Sequence, residues 1–443
     1  TQVTRRGVGN AGNLTIATNQ LRLQDGAQIS SSVFGRGNGG DLTIRAADSV
    51  QLSGTSRFAN SSLGTSVEAR GQGNAGNLSL ETGRLTLQDG AIITSGTRGV
   101  GNGGNVTVRA ADSIELSGFG IENSTSRIET VVHPGARGNA GTLTVDAGRL
   151  RLQDQAAISS ETAGLGNANN LVVQARDSVF LTGNSRFSTR SRGGGETGNL
   201  TVTTNQLTLE QGSQFVVSSQ GAFPAGNLTV NANSVRLSQA SFSAETEAGD
   251  RGSIFVNAQD IILRRNSTIT ANATKTATGG NITINSDLLV LLENSAIVAQ
   301  AVFGRGGNIT ITTRGLIQSL GTRIDATSQL GINGVVQINT PDVDPSRQLV
   351  ELPSELIDSQ QLIANSCLVP STRQQGTFIL TGVGGLPAIP TSPARSSFAT
   401  YDIPASTTTS AQPPPISNNT PITEIENIYR LENGQLILGR RCL

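Results

Sequence analysis

Apolar and polar residues alternate along short stretches over most of this chain, and the stretches recur at a regular interval. The first places Leu14 and Ile16 on one side, Leu21 and Leu23 follow after a polar turn, and Ile29 comes after a second turn. A period of two is typical of β-strands, because successive side chains of a strand point to opposite faces. Each interval therefore predicts three short strands separated by polar turns.

The stretches belong to one repeated unit that carries the phrase Gly-Asn-aliphatic-Thr-aliphatic. The first aliphatic residues of the eleven clear copies are Leu14, Leu42, Leu78, Val106, Leu143, Leu171, Leu200, Leu228, Ile254, Ile282 and Ile309. A degenerate twelfth copy centres on Val336. Neighbouring copies are 26 to 29 residues apart, except where insertions near residues 56–73 and 119–138 lengthen the unit to 36 and 37 residues. Self-similarity at this period indicates a solenoid with one coil per unit.

The position two residues after the first aliphatic residue identifies the inside of the solenoid. It is aliphatic in every clear copy: Ile16, Ile44, Leu80, Val108, Val145, Val173, Val202, Val230, Val256, Ile284 and Ile311. One coil cannot bury its apolar side alone, but coils stacked at the strand spacing of about 4.8 Å bury it against their neighbours. We expect an all-β fold, a right-handed parallel β-helix of about 12 coils of about 28 residues. Its core is predicted to consist of Val, Ile, Leu and Ala, and its length is roughly 55 Å.

Two further positions are regular at the corner before the first strand. Glycine occupies the first of them, at Gly12, Gly40, Gly76, Gly104, Gly141, Gly198, Gly226, Gly252, Gly280 and Gly307. Asparagine follows at Asn13, Asn77, Asn105, Asn170, Asn199, Asn227, Asn281 and Asn308, with Asp41, Thr142 and Ser253 as substitutes. We expect positive φ at the glycines. The asparagine side chains are predicted to bond to the equivalent residues of the coils above and below, as a ladder.

Two further segments alternate between odd and even coils through the first eight coils. Odd coils end their second strand in Gln-Asp-Gly or a relative, with Asp25, Asp89 and Asp154. Even coils carry Ala-Ala-Asp-Ser or a relative before that strand, with Asp48, Asp112 and Asp177. The duplication unit is therefore two coils. In the second coil, the same alternation places Phe58 at the apolar position of the third strand.

Composition changes at Pro341, after which the solenoid cannot continue, because proline has no N–H to donate to a strand ladder. Twelve of the fourteen prolines lie at or after this residue. We predict four segments: a β-helix domain at 1–340, a capping segment with a short helix at 341–385, a Pro/Ser/Thr-rich linker at 386–421 and a β-hairpin at 422–443. The hairpin is predicted from Asn433-Gly434, which lies between two alternating runs.

Charge and cysteine content exclude several classes of function. The chain has 32 basic and 32 acidic residues, so no positive field favours nucleic acid or an anionic membrane, and we expect neither partner. No run of about 18 apolar residues predicts a transmembrane helix. Cys367 and Cys442 are candidates for one structural disulfide, which the sequence alone neither requires nor excludes.

No residue pattern predicts catalysis, a cofactor or a metal. The recurrent aspartates lie in alternate coils, roughly 9.6 Å apart along the axis, and we interpret them as turn residues. His133, the only histidine, has no Ser or Cys partner in a recognisable motif, so we expect an exposed loop residue. The alternative is a carbohydrate-active β-helix, a polysaccharide lyase or a glycoside hydrolase, which needs a pair of suitably spaced carboxylates.

The repeats, the junction TPDVDPSRQLVELP (340–353), the phrase ending in Cys367 and the run TFILTGVGGLPAIP (377–390) together resemble one known family. They are similar to the C-terminal portion of filamentous haemagglutinin-like exoproteins, the two-partner-secretion proteins common in cyanobacteria. The resemblance implies export through an outer-membrane β-barrel transporter and an extracellular or outer-cell-surface location. It also implies an adhesive role toward a cell-surface or extracellular-matrix ligand. The family's N-terminal secretion domain is missing, so we expect this chain to be a piece of a longer protein.

These observations predict a secreted or surface-displayed structural and adhesive stalk without enzymatic activity. If the parent protein binds a partner, the two insertions are the predicted place, because inserted loops project from a regular scaffold.

Overall fold

The computed structural model describes residues 1–221, 223–247, 252–275 and 277–340, together with the backbone of two short strands near the C-terminus. The chain divides into two units, Thr1–Val350 and Glu351–Leu443. The described part of the first unit is almost entirely β-structure.

The described residues of the first unit form 26 strands and one 3₁₀-helical turn, Ile121–Asn123. The strands are β1 (Gln2–Val3), β2 (Leu14–Gln24), β3 (Gln28–Val33), β4 (Leu42–Ser53), β5 (Ser62–Val67), β6 (Leu78–Gln88), β7 (Ile92–Thr97), β8 (Val106–Ser117), β9 (Arg127–Val132), β10 (Leu143–Leu152), β11 (Ala157–Thr162), β12 (Leu171–Leu181), β13 (Arg186–Ser191), β14 (Leu200–Glu210), β15 (Gln214–Ser219), β16 (Leu228–Asn231), β17 (Ser234–Ser238), β18 (Ser241–Thr246), β19 (Ile254–Asn257), β20 (Asp260–Arg264), β21 (Thr268–Thr270), β22 (Ile282–Leu291), β23 (Ala296–Val298), β24 (Ile309–Gln318), β25 (Arg323–Asp325) and β26 (Val336–Asn339).

The strands form two parallel sheets that wind together as a right-handed β-helix of about 12 coils, which confirms the predicted fold. A 12-stranded sheet, here called the short-strand sheet, takes one strand of up to six residues from each of its coils. A 14-stranded sheet, the long-strand sheet, takes the remaining strands, which run to 12 residues in β4 and β8. The register is constant from coil to coil, as in the column Leu143, Leu171 and Leu200.

The first two strands predicted for each coil are joined into one long strand in most coils. The pairing register shifts once in the middle of that strand, between Thr18 and Gln20 in β2 and between Ala46 and Ser49 in β4. The even coil therefore has one extra residue at this corner. That residue belongs to the Ala-Ala-Asp-Ser segment, so the odd–even alternation of the sequence corresponds to a real difference in backbone path.

The core is the inward face of both sheets. The predicted inward position is fully buried from Ile44 through Ile311, whereas Ile16 in the first coil is only half-buried. The expected composition of Val, Ile, Leu and Ala is incomplete, because Phe187, Phe215 and Phe242 stack on one another inside coils six to eight. Their ring centroids are 4.8 and 5.1 Å apart, close to the coil spacing.

The prediction that Phe58 is a core residue is wrong. Phe58 is 97% exposed, and Leu63 of β5 occupies the inward position instead. The projecting loops of the two insertions are residues 54–61 and 118–126, which end earlier than the sequence suggests. The residues that follow each insertion are ordinary third strands, β5 and β9, which pair in register with their neighbours.

The prediction that the corner glycines adopt positive φ is also wrong for most of them. Of that set only Gly252 has positive φ. At Gly104 a Cβ atom would overlap the backbone carbonyl of Gly76 in the previous coil, so the constraint is the close approach of two backbones. Positive φ occurs three residues earlier, for example at Gly101 with φ 142°.

The second unit is described only at two strands, β27 (Asn427–Arg430) and β28 (Leu436–Gly439), which pair antiparallel. They lie within the predicted hairpin segment, whose Asn433-Gly434 turn is outside the described residues. The predicted short helix, the linker, Cys367 and Cys442 also lie outside them.

The phenylalanine stack predicts a strong and local effect of truncation. Phe215→Ala removes the middle ring, leaves a cavity between two rings and is expected to cost about 3–5 kcal/mol of unfolding free energy. Phe58→Ala, at an exposed ring, is the matched control and is expected to change stability by about 0.5 kcal/mol or less. Chemical unfolding followed by circular dichroism measures both variants. Equal midpoints for the two would contradict the assignment of the stack to the core.

Candidate functional site

The first insertion is a closed loop whose backbone holds Phe58 at the tip. Thr55 and Asn60 form an antiparallel bridge at the neck of the loop. The Ser56 hydroxyl oxygen accepts hydrogen bonds from the N–H groups of Phe58 and Ala59, at 3.3 and 3.0 Å. A serine side chain that bonds nearby N–H groups in this way fixes a tight turn. The fixed turn presents the phenyl ring to solvent.

The second insertion is built on the same plan. Phe119 and Thr125 form its antiparallel bridge, and Ile121–Asn123 forms the 3₁₀-helical turn at the tip. Each loop is closed at its base by its last residue, a serine. The hydroxyls of Ser61 and Ser126 donate to the carbonyls of Ser53 and Ser117, both at 2.7 Å.

The two loops contact each other although a whole coil separates them along the axis. The N–H of Ile121 donates to the Thr55 hydroxyl at 2.7 Å. The Asn60 amide donates to the Gly90 carbonyl at 2.6 Å and to the Ser124 hydroxyl at 3.3 Å. Gly90 belongs to the tight turn of the third coil, so the loops meet over that turn. We call residues 54–61 and 118–126 the paired loops.

The paired loops expose large apolar side chains. Phe58 is 97% exposed, Phe119 is 44% exposed and Ile121 is 50% exposed. Backbone hydrogen bonds fix the loop segments that carry all three residues. These apolar side chains are therefore exposed on an ordered backbone. Ordered apolar groups on a projecting loop are typical of a surface that binds another macromolecule.

The predicted asparagine ladder exists, but its bonds differ from those expected. Side-chain oxygens accept hydrogen bonds from the backbone N–H of the equivalent residue in the next coil, and at Asp41 the Asn77 side-chain amide donates as well. Asn77 accepts from Asn105 at 3.0 Å, and Asn105 accepts from Thr142 at 2.9 Å. The column also uses Asn13, Asn170, Asn199, Asn227, Asn281 and Asn308 as acceptors. At this corner the side-chain oxygen satisfies an N–H group that the backbone ladder leaves unpaired.

A second column, three residues earlier, makes the same bond and was not predicted. Its acceptors are Asn10, Asn38, Asn74, Asn102, Asn139 and Asn167, at 2.8 to 2.9 Å. The sequence signal was present, because the corner reads Gly-Asn-x-Gly-Asn in several copies and the first asparagine is present in each of the first six copies.

His133 is not the exposed loop residue that was expected. It follows β9 directly, its N–H donates to the Thr97 carbonyl at 3.0 Å, and its side chain is half-buried. Burial lowers the pKa of His133 from 6.5 to about 4, and the neighbouring charge of Arg98 acts in the same direction.

The recurrent aspartates occupy turns and corners. Asp25, Asp89 and Asp154 have φ between 51° and 56°, a left-handed conformation that aspartate tolerates in tight turns. Within the described residues, no group of three or more His, Cys, Asp or Glu side chains could hold a metal ion. Nor does any helix among those residues have the length and apolar character needed to cross a membrane.

Comparison of the chain with family models, curated proteins and solved structures found no match.

The asparagine columns predict a test with a built-in control. Asn105→Ala removes the acceptor for the Thr142 N–H and is expected to cost about 1 kcal/mol of unfolding free energy. Asn105→Asp keeps an acceptor oxygen, as Asp41 does in the same column, and is expected to cost less. Hydrogen exchange at the Thr142 amide reports the bond directly. The interpretation is wrong if that amide exchanges equally fast in all three proteins.

The single histidine predicts a clean pH dependence. Since the fold binds this proton only near pH 4 and the unfolded chain binds it near pH 6.5, stability falls as the pH drops from 6.5 toward 4. NMR titration of the imidazole in untagged protein is expected to give a midpoint well below 5.5, and His133→Gln is expected to flatten the stability profile between pH 6.5 and 5. A midpoint near 6.5 would show that the ring is solvated.

Proposed function

We propose that this chain is a non-enzymatic structural and adhesive stalk that is secreted or displayed on the outer cell surface. The sequence resemblance to filamentous haemagglutinin-like exoproteins supports this proposal, with export through an outer-membrane β-barrel transporter. The observation that carries it is the unbroken stacking of about 12 coils, in which the short-strand sheet pairs without interruption from β1 to β25.

A stalk of this kind works mechanically. Every coil contributes backbone hydrogen bonds to both neighbours, and the aliphatic core is continuous from Leu42 to Ile311. Such a rod resists local opening, because unfolding one coil breaks the interfaces on both of its sides. Its role is to hold a binding surface at a fixed distance from the cell.

We place the contact with a cell-surface or matrix ligand on the paired loops. They are the two places where the repeat is interrupted, and they expose Phe58, Phe119 and Ile121 on an ordered backbone. Exposed aromatic anchors on rigid scaffolds contribute a large share of binding energy at protein interfaces.

The proposal predicts that the loops carry attachment. Beads coated with the full chain are tested for adhesion to cell monolayers and to extracellular-matrix films. The double variant Phe58→Ser/Phe119→Ser is expected to reduce adhesion roughly tenfold. Phe223→Ser, at a ring that is 41% exposed on another coil, is the matched control.

If the double variant adheres as well as the parent chain, the paired loops are not the contact surface. The enzymatic alternative has its own test, in which purified chain is incubated with acidic and neutral polysaccharides. Shortening of any of these polymers by the chain would contradict a non-enzymatic stalk.

A further inference from the structure

The outward face of the short-strand sheet carries a groove that the proposed function does not use. Alternate residues of β13 point outward, namely Arg186, Ser188 and Arg190, because Phe187 between them lies in the core. Ser188 is nevertheless fully buried, and Val216 and Ser243 at the same register are nearly so. Short residues therefore form a floor, and longer side chains on both sides of it form walls.

Over coils six to nine this groove has a volume of about 500 Å³. Its walls offer hydroxyl and amide groups from Gln214, Ser218, Ser241, Thr268 and Asn272. These are neutral groups that both donate and accept hydrogen bonds. Such a lining suits a ligand rich in hydroxyl groups.

One end of the groove is cationic and incompletely paired. Arg190 and Arg192 line this end, and within the described part of the chain Arg190 makes no hydrogen bond and no ion pair. The nearby Glu161 carboxylate is engaged by the Ser188 hydroxyl at 2.8 Å and by Arg192 at 3.9 Å. A guanidinium without a partner at the groove wall can gain charge-assisted hydrogen bonds from a ligand carboxylate.

The electrostatic environment of Arg190 also indicates that its charge is incompletely paired. Burial lowers the pKa of the Arg190 guanidinium, and Arg186 and Arg192 add to this effect, whereas Glu161 and, more weakly, Glu245 oppose it. The protein therefore compensates this charge only in part. Farther along the same wall Glu245 accepts a hydrogen bond from Ser243 at 2.8 Å, and this second carboxylate lies two coils away from Arg190.

The chemistry of the groove selects one ligand class. A guanidinium binds a carboxylate through two parallel hydrogen bonds, which favours a carboxylate at the cationic end. The groove lies on the face of a sheet, where an extended peptide cannot add as a strand, because strand addition requires a free edge. A polysaccharide, which is recognised through its hydroxyl groups, does not need a free sheet edge.

We propose that this surface, the Arg190 groove, binds a polysaccharide that bears carboxylate groups. One carboxylate contacts Arg190, and the sugar hydroxyls contact the neutral walls toward Ser241. This inference adds a second ligand class to the proposed adhesive function. It rests on the proposed function for the role of the binding in adhesion, whereas the binding itself is measured independently.

The test is calorimetric titration of the full chain at low salt with an oligogalacturonate, using its methyl ester as the uncharged control ligand. We expect the acid to bind, the ester to bind much more weakly, and Arg190→Gln to reduce the affinity for the acid roughly tenfold or more. Added salt is expected to weaken binding. Glu245→Gln is expected to strengthen binding, because it removes a like charge.

Arg236→Gln, at an exposed arginine on the long-strand sheet, is the matched protein control and is expected to bind like the parent chain. Thermal unfolding of each variant separates lost binding from lost folding. No binding by the parent chain, equal binding by Arg190→Gln, or tighter binding of polyglutamate than of oligogalacturonate would each overturn the proposal. The paired-loop double variant is expected to bind the oligosaccharide like the parent chain. The groove proposal and the paired-loop proposal are therefore tested independently.

Discussion

The stacking of each coil on the next through backbone hydrogen bonds at the strand spacing is the constraint on which the rest of this structure depends. It forces every coil to repeat the path of its predecessor, so a residue at one position always has its equivalent directly above and below. The aliphatic column through Val173, the stacked rings of Phe187, Phe215 and Phe242, and the glycines that cannot carry a Cβ are three results of this requirement. Only segments between strands escape it, and both insertions occur there.

At the corners of each coil, backbone hydrogen bonds alone do not pair every N–H group. Where the chain turns, some N–H groups lose their carbonyl partner, and two columns of asparagine oxygens supply the missing acceptors. Because the side-chain oxygen reaches the next coil, an oxygen-bearing residue such as Asp41 or Ser253 can replace asparagine in the column.

The fold could be predicted from the sequence because one pattern is repeated many times, and repetition averages out local ambiguity. Single events could not be predicted in the same way. Phe58 fits the alternation of its coil, yet it lies in an insertion, because sequence pattern alone does not show where an inserted loop ends and the strand resumes. The corner glycines were identified correctly but for the wrong reason, since close approach between coils is not visible in one coil. The Arg190 groove depends on which outward rows face each other, and this follows from register in three dimensions.

The most direct measurement of the central claim compares two neighbouring residues of β12. In a chain with Cys367 and Cys442 replaced by serine, Val173→Cys and Gln174→Cys are each exposed to a thiol reagent under native conditions. Val173 is fully buried and Gln174 is exposed, so the account predicts that the first thiol reacts only after unfolding and the second reacts at once. Equal or reversed reactivity would contradict a stack of coils with a dry aliphatic interior.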